Sequence, residues 1–145
     1  GSIPTTAATA DVTITGESSS GFGGAVVSGD WNADGKVDLA VGASAYTTNT
    51  GRVYTFYNDG SFPTTAATAD VIQVGETTNN YFGYALATGD IDSDGKSDLI
   101  VGAKGYSTNT GRVYVLSSEV AATSTPPGAF YLKGTGTLKG TGKIK

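Results

Sequence analysis

Two nine-residue stretches gather the oxygen ligands of this chain. They read Asp30-Trp31-Asn32-Ala33-Asp34-Gly35-Lys36-Val37-Asp38 and Asp90-Ile91-Asp92-Ser93-Asp94-Gly95-Lys96-Ser97-Asp98, and both fit D-x-[DN]-x-D-G-x-x-D. Side-chain oxygens at the first, third and fifth positions of such a loop converge on one point. Glycine at the sixth permits the reversal, the seventh turns its carbonyl inward, and the ninth adds a carboxylate. Oxygen donors without nitrogen or sulfur select a hard cation, and Ca²⁺ suits a flexible oxygen cage better than Mg²⁺ does. A single loop of this kind could be an ordinary solvated turn. Here the acceptor positions persist while Trp31/Ile91 and Ala33/Ser93 differ, and carboxylates crowded this closely repel one another without a cation. The two loops hold seven of the thirteen acidic residues, so two bound Ca²⁺ would balance the net charge of −4. The expectation is two structural Ca²⁺ sites whose removal loosens the fold. The twelfth position, where a helix-loop-helix calcium hand needs Glu, is Val41 or Val101, and a strand-like run follows each loop in place of a helix.

The loops belong to a larger repeat. TTAATADV occurs at residues 5–12 and again at 64–71, and TNTGRVY at 48–54 and 108–114. Phe22-Gly23 matches Phe82-Gly83, with a one-residue insertion between Glu17/Glu76 and Phe22/Phe82. Boundaries of 1–59 for the first repeat, 60–118 for the second and 119–145 for a distinct tail follow from this spacing. Each unit holds four short runs rich in Val, Ile, Thr and aromatics; in the first they are 12–15, 24–27, 38–41 and 52–56. Gly, Asn, Asp and Ser punctuate them, and no stretch shows helical periodicity with caps. An all-β fold of two four-stranded propeller blades is expected, followed by an extended C-terminal tail.

Composition removes several chemistries. With no Cys and no His there is no disulfide, thiolate or imidazole metal site and no Ser-His-Asp triad. No Gly-x-Ser-x-Gly element occurs, so the chain is not expected to be an enzyme. The acidic balance argues against nucleic acid as a partner, and no apolar run is long enough for a membrane span.

Phe22-Gly23, the acidic loop and Gly42-Ala43, repeated as Phe82-Gly83, the second loop and Gly102-Ala103, resemble the FG-GAP repeat of integrin α-subunit β-propellers. The proline expected after Gly-Ala is Ser44 in one copy and Lys104 in the other. The resemblance implies that Asp30, Asn32, Asp34, Asp38 and the Lys36 carbonyl bind one Ca²⁺. Asp90, Asp92, Asp94, Asp98 and the Lys96 carbonyl would bind a second. It also implies a calcium-stabilised structural or adhesive module, extracellular or at the cell surface.

In that family the strand before the Phe-Gly element forms the outer edge of the preceding blade. Residues 71–74 would then complete the first blade, and Ala129-Phe130-Tyr131-Leu132-Lys133 would complete the second. Residues 12–15 would be left without a blade of their own. Two blades cannot close a ring, so the chain is expected to be a piece of a longer propeller or to associate head-to-tail with copies of itself, as a ring or a filament. Addition of the 12–15 strand to a neighbouring copy is one expected route. The tail carries Lys133, Lys139, Lys143 and Lys145, four of nine basic residues, which suits contact with an acidic neighbour.

An extracellular protein or a glycan is the other expected class of partner. The competing reading is a lectin-like, carbohydrate-binding propeller module in which Trp31, expected to be exposed, stacks on a sugar. Arg52 and Arg112 are expected to pair with an acidic residue between blades. Glu17/Glu76 recur with the shared architecture, and Phe22/Phe82 and Tyr54/Tyr114 are expected to pack.

Overall fold

The structure, a computed structural model, describes residues 2–117. Seven antiparallel strands form two sheets. The first is built from β1 (Phe22–Gly29), β2 (Asp38–Ala43), β3 (Arg52–Phe56) and β4 (Val71–Val74), paired in chain order. The second is built from β5 (Phe82–Gly89), β6 (Asp98–Ala103) and β7 (Arg112–Leu116), also in chain order. This is the all-β architecture of two propeller blades, and residues 71–74 do complete the first. The tail strand expected at 129–133 lies outside the described residues.

Each first strand enters through a bulge. Pairing with the next strand shifts register between Phe22 and Ala25, and again between Phe82 and Ala85. Gly23 and Gly83 occupy these bulges at φ +88° and +81°, a conformation that favours glycine. Beyond each middle strand the chain reverses through a single turn, α1 (Tyr46–Asn49) or α2 (Tyr106–Asn109). Thr47, Thr48 and Asn49 have positive φ, as do Ser107, Thr108 and Asn109, so both turns are left-handed inside. This carries the strand into the glycine of TNTG.

The two sheets stack face to face, and strand alternation sorts their side chains into two clusters. Between the blades lie Trp31, Ala40 and Val53 from the first and Phe82, Leu99, Val101 and Ala103 from the second. The opposite face of the first blade carries Val41, Ala43, Tyr54 and Phe56, packed under Ala66, Phe62 and Ile14. Two expectations are corrected here. Trp31 is buried, 6% exposed, because the second blade closes over it against Leu99. Residues 12–15 form no strand. Their one ladder contact is a parallel bridge from Thr15 to Thr65, because among the described residues no strand lies alongside them.

Candidate metal centre

Each acidic loop spans the hairpin from a first strand to a middle strand, so its last carboxylate stands on a strand while the others stand on the turn. Asp38 and Asp98 open β2 and β6 and are 1% exposed. The Asp38 carboxylate accepts from Trp31 N at 3.0 Å and from Asn58 N at 2.9 Å, and Asp98 accepts from Ile91 N at 2.6 Å. These bonds fold the second loop residue back onto the start of the middle strand.

Within the loops the acidic side chains organise the backbone. Asp30 accepts from Asp34 N at 3.2 Å and Gly35 N at 3.0 Å, Asn32 from Asp34 N at 3.0 Å, and Asp34 from Lys36 N at 2.8 Å. The second loop repeats all four bonds at 3.1, 3.0, 3.2 and 2.9 Å. Gly35 and Gly95 stand at φ +80° and +88°, where the chain turns back. The backbone N–H of Lys36 holds the Asp34 carboxyl below the usual range, with the Lys36 ammonium 3.5 Å away adding to it and partial burial opposing it.

In the second loop Asp90, Asp92 and Asp98 each bring a carboxylate oxygen within 4.8 Å of the other two. Oxygens that share a Ca²⁺ at 2.3–2.6 Å stand at most roughly 5 Å apart. The spacing and the all-oxygen donor set therefore fit a hard divalent cation, and three converging anions have an electrostatic need for one. Asp94 stands outside this trio and is held by Lys96 N. In the first loop Asn32 occupies the place of Asp92, so an amide oxygen replaces one carboxylate. Asn58 had no signal in the sequence: it lies twenty residues from Asp38, yet its N–H reaches that carboxylate and its side-chain amide donates to the Val37 carbonyl at 3.2 Å.

A second constellation recurs at the opposite ends of the sheets, where Arg52 stands across from Ala43 and Arg112 across from Ala103. Glu17 accepts from Arg52 Nη1 at 3.1 Å and Tyr54 Oη at 2.8 Å, and the Arg52 guanidinium stacks 3.6 Å from the centre of the Tyr46 ring. Tyr54 meets Phe22 edge-on with ring centres 5.5 Å apart. Glu76, Arg112, Tyr114, Tyr106 and Phe82 repeat the arrangement, with Arg112–Glu76 at 2.9 Å and Tyr114–Glu76 at 3.0 Å. Glu76 sits on the connector that leaves β4 of the first sheet for β5 of the second, so the expected acidic partner between blades is present.

The family model for the FG-GAP repeat matches residues 22–56 and 82–116, each from the Phe-Gly bulge to the end of the third strand. The chain carries two FG-GAP repeats. It is 33% identical to integrin alpha-PS2 of Drosophila melanogaster over 104 residues, covering 66% of this chain and 7% of that protein. It is 35% identical to integrin alpha-4 of Xenopus laevis over 103 residues, 65% of this chain and 9% of that one. Phosphatidylinositol-glycan-specific phospholipase D of Bos taurus shares 40% identity over 107 residues, 65% of this chain and 13% of the enzyme. The chain thus spans a small part of the length of the relatives it matches.

What the FG-GAP signature does physically is visible in the fold. The Phe of each repeat packs edge-on against the Tyr of its third strand, and the Gly makes the bulge. The Gly-Ala pair ends the middle strand, where Gly42 of the first blade meets the Gly83 backbone of the second, and Ala43 and Ala103 are almost fully buried.

Proposed function

We propose that this chain is a calcium-stabilised structural or adhesive propeller module, extracellular or at the cell surface, without catalytic activity of its own. The observation that carries the reading is the convergence of Asp90, Asp92 and Asp98 in a loop whose hydrogen bonds recur around Asp30, Asn32, Asp34 and Asp38. The Lys36 and Lys96 carbonyls complete the proposed ligand sets. A cation held there would cancel the repulsion among the carboxylates and tie each hairpin to its buried Asp38 or Asp98. Similarity to integrin α subunits supports an adhesive or structural role. The match to a phospholipase covers 13% of that enzyme and assigns no catalytic residue here. Partners of this class are further blades or copies of this chain. The lectin-like reading loses its main support, because Trp31 is buried between the blades.

Calorimetric titration of the full chain with CaCl₂, with MgCl₂ as control, tests the reading. Two equivalents of Ca²⁺ taken up, and a melting temperature that rises with Ca²⁺ and falls with EGTA, are expected. No uptake, or melting indifferent to EGTA, overturns it.

A further inference from the structure

The segment TNTGRVY occurs twice, and the fold puts it to use once. In the first blade the carbonyls of Thr48, Asn49, Thr50 and Gly51 accept backbone hydrogen bonds from Asn79, Tyr81, Phe82 and Gly75, at 3.0, 2.8, 3.2 and 3.0 Å. A Cβ on Gly51 would collide with the backbone of Phe82, and one on Gly42 with the carbonyl oxygen of Gly83. The outer edge of β3 is covered by β4, with Arg52 opposite Val74, Val53 opposite Gln73, Tyr54 opposite Ile72 and Thr55 opposite Val71.

In the second blade the identical segment meets none of this. Among the described residues no backbone N–H reaches the carbonyls of Thr108, Asn109, Thr110 or Gly111, and β7 pairs with β6 alone. Val53 is fully buried, whereas its twin Val113 is 67% exposed. Gly102, the twin of Gly42, lies at no special φ, and a Cβ there would make only ordinary contact with Ala85 at 3.5 Å. A half-buried strand position with room for a side chain has no local reason to be glycine.

The complementary half is at the other end of the same chain. Residues 5–12 are identical to residues 64–71, the segment that leads into β4. Val12 therefore stands where Val71 stands, and Val12 to Thr15 where β4 stands. These residues are β-branched, exposed at Val12, and bonded at present only through Thr15. Gly23, the twin of the Gly83 that presses on the first blade, has nothing within 4 Å of its Cβ position.

We propose that the outer face and edge of the second blade receive the N-terminal end of a second copy of this chain, repeating between molecules the contact that the first blade makes with the second within one. The repeat offsets fix the register: Arg112 opposite Thr15, Val113 opposite Ile14, Tyr114 opposite Thr13 and Val115 opposite Val12 of the second copy. Phe22 and Gly23 of that copy pass over Gly111 and Gly102. The contact is heterologous, so it extends into a ring or a filament. It rests on the reading of the chain as a propeller module and names the partner of that module's open blade.

The chain has no cysteine, which makes crosslinking clean. Val113→Cys chains are mixed with Ile14→Cys chains in Ca²⁺ under mild oxidation, and Val113→Cys with Thr13→Cys as the register control. Facing residues share one side of a sheet and a one-residue slip points away, so the first mixture is expected to form the disulfide-linked heterodimer about tenfold faster. Gly102→Ala is expected to keep the melting temperature and lose association in light scattering. Equal crosslinking rates, or association untouched by Gly102→Ala, overturn the proposal. So does a monomeric full chain at micromolar concentration, the outcome if residues 129–133 of the same chain cover β7. A monomer that EGTA still destabilises rejects the exchange and leaves the calcium reading standing. Register-specific crosslinking that EGTA does not alter supports the exchange and rejects the calcium reading.

Discussion

The two blades are close to a controlled experiment in context. Their third strands begin with the same Arg-Val-Tyr, yet β3 is buried along nearly its whole length and β7 is mostly exposed. Both carry the Glu–Arg–Tyr cluster. The side chains of Arg52 and Glu17 are 21% and 30% exposed, against 41% and 46% for Arg112 and Glu76. The difference lies in the neighbours. The first blade has β4 on its edge and is covered on both faces, by the second blade and by Ala66, Phe62 and Ile14, while among the described residues the second blade has no fourth strand and is covered only on the face it turns to the first. Burial in a stacked repeat is therefore set by position in the stack, and the local sequence supplies only the capacity for it.

Glycine pairs break the comparison most sharply. Gly42→Ala forces a methyl group into the carbonyl of Gly83, a backbone contact that cannot rotate away. Overpacking of this kind costs about 3 kcal/mol, and the two blades are expected to separate in part. Gly102→Ala makes only ordinary contact with Ala85 and is expected to change stability by less than about 0.5 kcal/mol. Urea denaturation of both variants under dilute conditions measures the gap, and equal losses would show that the two backbones do not meet closely at Gly42.

A valine pair sharpens it. Val53→Ala removes two methyl groups from the cluster between the blades, at an expected cost of about 2 kcal/mol. Val113→Ala, at the same place in the same heptapeptide, is expected to cost under about 0.5 kcal/mol in the isolated chain. The same denaturation experiment reads both. A large loss at Val113 would mean that this face is already covered.

These contrasts also separate what the sequence carries from what it does not. The repeat and its strand-forming runs were legible because alternation and turn residues act locally, whereas the closing of the first blade by residues 71–74 followed from the resemblance to the FG-GAP repeat. So were the acidic loops, whose four internal hydrogen bonds span at most five residues. Trp31 was misread because its surroundings in sequence are polar. Its twin Ile91, held by the same kind of bond to a buried aspartate, is 57% exposed, so the burial of Trp31 comes from Leu99 and the second blade. Residues 12–15 have strand-forming side chains but no strand beside them, and β propensity alone does not make a strand. The tie from Asn58 to Asp38 depends on where β3 ends, which no local pattern announces.

The smallest expected effect concerns alkaline pH. Burial raises the pKa of Tyr54 above the ordinary tyrosine value of 10.0, with the Arg52 hydrogen bond working against the shift and the Glu17 carboxylate working with it. Tyr114 is raised in the same direction, again by burial first and then by Glu76. A folded pKa above the unfolded one means that the unfolded chain loses its proton first as pH rises. The stability linked to each phenol is therefore complete below about pH 10 and is lost as pH climbs through the folded value. Melting temperature is expected to fall over that window, and Tyr54→Phe should flatten the fall more than Tyr114→Phe, because Tyr54 is fully buried. The substitution also leaves Glu17 with Arg52 alone, so a lower melting temperature at neutral pH accompanies the flatter profile. If the two variants give the same profile, the phenol of the first blade feels no more burial than that of the second, and the stack has not distinguished them.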